Sequence, residues 1–164
     1  MSEYIGVIGV ITGSIGTATG IIALIRIYRK EKPNLKIEKV ESSHNFTHNP
    51  SEKTHINFWA KFHVSNLGDR GTRINDIILS FRVDSKDYIL KKQDFFRVPS
   101  VGLSAKIEKS IWLEAHDSSY FQVQFIQEYD STEKEQIDCN FKIIHTHGSK
   151  YAKITSVLTT EHNL

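Results

Sequence analysis

The sequence predicts an all-β domain, an antiparallel β-sandwich, carried behind one N-terminal transmembrane α-helix. Three observations predict it. The stretch from Tyr4 to Ile25 holds no charged side chain and is mostly Ile, Val, Ala and Gly. Beyond Pro33 the apolar pattern changes to period two, the spacing of a strand with one buried face. Clusters of turn-forming residues separate the alternating segments, and residues 34–164 contain no helical stripe.

The first element is the helix. Tyr4 to Ile25 would span about 33 Å at 1.5 Å per residue, enough to cross a hydrocarbon core roughly 30 Å thick. Glycine is a poor former of soluble helices, but in lipid an unpaired backbone costs more, so the helix tolerates its glycines. Thr12, Ser14, Thr17 and Thr19 can bond back to carbonyls one turn earlier. A cleaved signal peptide fits less well. Met1-Ser2-Glu3 is not a basic start, and the run exceeds the usual apolar stretch of about 7–15 residues.

Within this helix Gly6, Gly9, Gly13, Gly16, Gly20 and Ala23 recur at alternating steps of three and four, which keeps all six on one face. A smooth face of this kind lets two membrane helices approach closely. The expected partner is a second copy of the chain or another membrane protein.

Basic residues cluster after the span, at Arg26, Arg29, Lys30, Lys32 and Lys36. They are expected to touch lipid head groups and to hold this side in the cytoplasm, with the N-terminus outside. Tyr4 and Tyr28 would sit at the two interfaces. Asn45-Phe46-Thr47 is a glycosylation acceptor triplet and points the other way, but the charge asymmetry carries more weight.

Pro33 ends the helix, and the chain divides into a tail (1–3), the helix (4–28), a basic juxtamembrane linker (29–34), the β-sandwich (35–160) and a tail (161–164). The clearest strand is His55 to Ser65, with Ile56, Phe58, Ala60, Phe62 and Val64 on one face. Ile77 to Val83, Phe121 to Phe125 and Ile137 to Ile143 repeat the scheme. Weaker strands are expected at Leu35–Val40, Tyr88–Lys91, Ile107–Leu113 and Tyr151–Leu158, and Ser42–Lys53 is expected to be a mobile hairpin loop. Seven or eight strands with regular turns suit an immunoglobulin-like sandwich, with a closed barrel as the alternative.

The composition narrows the function. The first thirty residues hold three of the 21 basic and one of the 19 acidic side chains, so the remainder carries eighteen of each. A neutral domain is not a nucleic-acid module, which needs surplus positive charge on one face. A single cysteine, Cys139, forbids an internal disulfide and suits a reducing compartment.

No catalytic signature is present. There is no Gly-x-Ser-x-Gly elbow and no glycine-rich nucleotide loop. The carboxylate pairs Asp84/Asp87 and Glu133/Glu135 fall in polar, turn-like stretches. The best metal candidates are His145 and His147, which point the same way if the segment stays extended. Cys139 falls among inward apolar positions and makes a poor third ligand, so no metal and no cofactor is expected. Arg70 and Arg73, in the turn after Gly68, read as ordinary loop solubility or as an anion contact.

Trp59 and Trp112 both fall on the face opposite the strongest apolar residues, which makes them candidate partner contacts. The sequence therefore reads as a non-enzymatic, membrane-anchored binding and assembly protein. The alternatives are a membrane-active oligomer, pore or toxin-like, regulated by the sandwich, and an exported envelope or adhesion module.

Overall fold

The computed structural model describes residues 2–30, 33–48, 53–93, 95–97 and 106–159. Helix α1 spans Ser2–Lys30, and its side chains are described from Gly13 to Tyr28. Thr17 and Thr19 donate to the carbonyls of Gly13 and Ile15 at 2.8 and 2.9 Å. Among the described residues no helix is long and apolar enough to cross a membrane. The apolar side chains before Gly13 lie outside that statement.

Ten strands follow: β1 (Leu35–Thr47), β2 (His55–Asn66), β3 (Thr72–Val83), β4 (Lys86–Lys91), β5 (Phe95–Arg97), β6 (Lys106–Glu108), β7 (Ile111–Leu113), β8 (Ser118–Glu128), β9 (Gln136–His145) and β10 (Gly148–Leu158). They form one sheet in the order β4-β3-β9-β10-β1-β2-β8-β5-β6, with β7 also paired to β3. All pairings are antiparallel except β1 with β10, which run parallel through Ser43↔Val157 and His44↔Leu158.

The sheet curls so that its two halves face each other across an aromatic core. Phe58 of β2 meets Phe81 of β3 at 4.9 Å, and Phe62 of β2 meets Phe141 of β9 edge-on at 5.3 Å. The alternation in β2 sets its face directly, since Ile56, Phe58, Ala60, Phe62 and Val64 are all buried. Two strands keep their apolar residues inward by adding one residue. The β1–β2 register shifts at Glu38, so the inward face passes from Ile37 to Val40. The β3–β9 register shifts at Asn75, which lets Ile74 and Ile77 both be buried three residues apart.

Three local expectations change. The polar stretch Ser42–Thr47 is strand, because β2 pairs with all of it and β10 adds pairing on the other side at Ser43 and His44. Residues 49–52 of the expected loop lie outside the described residues. Ile107–Leu113 is two short strands, since β6 pairs with β5 while β7 pairs with β3. Strand β5 carries too short an apolar pattern to be expected from alternation, yet Phe95 is fully buried.

Candidate functional site

The chain enters the β domain at Leu35, and the side chain that organises this end is Asn66, the last residue of β2. It is fully buried. Its Oδ1 accepts from the backbone N–H groups of Asn34 and Gly68, each at 3.2 Å. Its Nδ2 donates to the carbonyls of Arg70 and Glu114 at 2.7 and 2.8 Å. Backbone bonds join the same segments: Asn66 N–H to Asp117 O and Leu67 N–H to Asn34 O, both 2.8 Å. One amide thus gathers the entry strand, the Leu67–Gly71 turn and the turn after β7 into one surface.

Trp112 lies at its margin. It pairs with Arg73 across β7 and β3, and the Arg73 guanidinium carbon lies 5.8 Å from its ring. The indole N–H donates to Glu114 Oε1 at 2.7 Å. Gly71 has no side chain because the indole occupies the space: a Cβ there would come within 2.4 Å of Trp112 Cζ2. The ring remains 45% exposed, and Leu67 in the adjacent turn is 50% exposed. His116, held at φ +56°, places Nε2 at 2.9 Å from Asp69 Oδ1 and ties the two turns together. The Thr146–His147 turn joins them through Thr146 N–H to Arg73 O at 3.0 Å.

Trp59 is elsewhere. It is half-buried in the middle of β2, paired with Ser43 and Gln124, with the Phe96 ring at 6.1 Å. Seven residues separate it from Asn66, roughly 23 Å along the strand. His63 and Tyr120 stack at 4.0 Å on the same outer face, between Trp59 and the entry end. The two tryptophans therefore mark two surfaces.

His145 and His147 do not face one site. Strand β9 ends at His145, which is buried, and the turn carries His147 to the surface. His145 Nδ1 lies 3.3 Å from Thr72 Oγ1 and accepts from the His147 backbone N–H at 3.4 Å. Burial, with the nearby His147 and Lys150, lowers its pKa. Among the described residues no group of three or more His, Cys, Asp or Glu is placed to hold a metal ion.

The sequence reading missed a different histidine. His44, expected in a loop, is fully buried in β1. It packs against Phe58 and Phe46 at 5.3 and 5.6 Å. Its Nε2 lies 2.9 Å from Lys134 O and its Nδ1 3.0 Å from Ser156 Oγ, so Nε2 carries the proton and Ser156 donates to Nδ1. Burial lowers its pKa. Ser156 is equally buried, so this serine–histidine pair belongs to the interior of the domain. Burial pushes the Cys139 thiol up to about 12, and the thiol is not an activated nucleophile.

On α1, beyond the helix's own backbone, nothing among the described residues lies within 4 Å of where a Cβ would stand on Gly13, Gly16 or Gly20. Arg26 lies one turn before the helix end, while the surroundings of Gly6 and Gly9, the side chains of Arg29 and Lys30, and the whole of Lys32 lie outside what is described. At the far end of the domain, Asp84, Ser85, Lys86, Asp130, Ser131 and Thr132 line an open depression. Its charges are paired internally: Lys86 with Asp130, and Asp84 with Lys134 at 3.3 Å.

No family model and no curated protein matches the chain. Among solved structures, a structural-genomics target protein is 12% identical, covering 79% of this chain and 89% of that one at TM-score 0.43. An ApaA protein from Bordetella pertussis is 6% identical over 80% of this chain and 98% of that one, also at 0.43. An uncharacterized β-sandwich protein from Clostridium difficile is 13% identical over 80% and 87%, at 0.36. Likeness at this level transfers no activity.

Proposed function

We propose that this chain is a single-pass membrane protein, in which α1 is the anchor and a cytoplasmic immunoglobulin-like sandwich binds a partner without catalysing a reaction. The observation that carries the reading is continuity. The charge-free run Tyr4–Ile25 lies within one 29-residue helix, the basic residues Arg26, Arg29 and Lys30 close it, and strand β1 begins five residues later. The pairing pattern supports the sandwich. One layer reads β1-β2-β8-β5 and the other β4-β3-β9-β10, with β1 touching both. This core order resembles that of an immunoglobulin-type domain, with β6 added beside β5 and β7 added on β3.

Among the described residues nothing packs on Gly13, Gly16 and Gly20, which suits lateral association with a second copy or with another membrane protein. The outer face around Trp59, Phe96, His63 and Tyr120 is the surface offered to a soluble partner. Asn45 favours the cytoplasmic placement. It sits within β1 opposite Asn57 of β2, and its Oδ1 accepts from Asn57 at 3.2 Å, whereas a glycosylation acceptor belongs on an open loop.

The test is the mass and composition of the full-length protein extracted in mild detergent, beside Gly13→Leu. An oligomer or a co-purifying membrane subunit that is lost on substitution supports association through the glycine face. A monomer in both refutes it. A homo-oligomer would bring forward the second reading, a membrane-active assembly, through ion flux in liposomes carrying the protein.

A further inference from the structure

We propose that the Leu35 end of the β domain docks on the lipid surface beside α1, with Leu67 and Trp112 in the interfacial layer and Arg70 and Arg73 toward lipid phosphates. The inference rests on the anchor reading above and names what one face of the domain touches.

Chain length forces the proximity. Lys30 and Leu35 are five residues apart, so at full extension the domain begins within about 17 Å of the end of the helix. Asn66 bonds Asn34 directly, and so fixes the Leu67–Gly71 turn and the turn after β7 at the point where the chain enters. With so short a link, the entry end of the domain stays close to the end of the helix.

The exposed side chains there have interfacial chemistry. A half-exposed indole with its N–H engaged matches the residue that most favours the head-group boundary. Leu67 adds an aliphatic side chain at the tip of the neighbouring turn. Arg70 and Arg73 are exposed, and Arg73 lies beside the indole. The acids at this end keep their charge, but each is engaged by a neighbour that fixes its direction. Glu114 accepts from Trp112, Asp69 faces His116, and Asp117 accepts from the Ser118 N–H at 2.7 Å. Gly71 is required for the indole to lie where it does.

The experiment uses the full-length protein in phosphatidylcholine vesicles containing a minority of phosphatidylglycerol, with acyl chains brominated near the head group. The chain has two tryptophans and α1 has none, so Trp59→Phe leaves Trp112 as the sole indole and Trp112→Phe leaves Trp59. The expected result is loss of roughly half the Trp112 emission and little loss from Trp59, which stands roughly 23 Å further along β2. Leu67→Glu, added to Trp59→Phe, should reduce the quenching. Flotation after an alkaline carbonate wash reads the anchor separately. Vesicles that retain the protein but quench both indoles equally weakly would overturn the docking and leave the anchor standing. Release by carbonate would overturn the anchor, and the docking with it.

Discussion

Replacing Asn66 with Ala should cost more stability than any other single polar truncation at the entry end. The side chain makes four hydrogen bonds, two as acceptor and two as donor, and all four partners are backbone groups. At a net of about 1 kcal/mol each, with partial rescue by water at the turn, the loss is about 3–4 kcal/mol. The assay is urea unfolding of the full-length protein in mild detergent, followed by tryptophan emission. With a slope near 2 kcal/mol per molar, the midpoint should fall by about 1.5–2 M. Asn66→Asp sharpens the test. A carboxylate keeps the bonds from Asn34 and Gly68 but faces the carbonyls of Arg70 and Glu114 with no proton to donate. It should therefore be at least as damaging as Ala at neutral pH and recover as the pH falls and the carboxyl protonates. A loss below about 1 kcal/mol for Asn66→Ala would refute the idea that one amide holds these segments together.

Other expectations follow from the same contacts. Gly71→Ala should displace the Trp112 ring, red-shift its emission and cost about 1–2 kcal/mol through the lost indole contacts, and the cost should shrink when Trp112 is already Ala. His44 and His145 both have folded pKa values held below normal by burial, so the unfolded chain takes up protons first. Stability from these groups is fully present above about pH 6.5 and is lost as the pH falls toward their folded pKa values, and His44→Gln should flatten that slope in unfolding measured between neutral and mildly acidic pH. Cys139 should resist iodoacetamide in the native protein and react in denaturant, by mass spectrometry, since its thiol is buried with a pKa pushed up to about 12.

Much of the β architecture was legible because alternation is a direct consequence of burial on one face. Strands β2, β8 and β9 follow it without interruption, and each inward residue from Ile56 to Val64 and from Phe121 to Phe125 is buried. What the sequence hides is long-range. Ser42–Thr47 has the composition of a loop, and only pairing with β2 and β10 makes it a strand. His44 is accommodated there because Ser156 and Lys134 arrive from distant segments to satisfy both ring nitrogens. The β3 irregularity at Asn75 breaks the parity between Ile74 and Ile77, so no single alternation covers the strand. Tryptophan on the outer face was readable, but the separation of Trp59 from Trp112 depends on which strand each pairs with. Asn66 carried the one local hint, an Asn-Leu-Gly turn at a strand end, without its link to Asn34 and Glu114.

The parallel contact between β1 and β10 has a mechanical consequence. The chain enters at Leu35 and leaves after Leu158, which pairs with His44 nine residues further along β1, roughly 30 Å from the entry point. Thr159 N–H extends the contact to His44 O at 2.9 Å. Tension drawn between the helix and the C-terminus would pull the two strands lengthwise past each other. Their hydrogen bonds would then bear load together, as a lap joint does, where a hairpin pulled at its open end yields one bond at a time. A parallel edge contact of this kind resists force along its own axis.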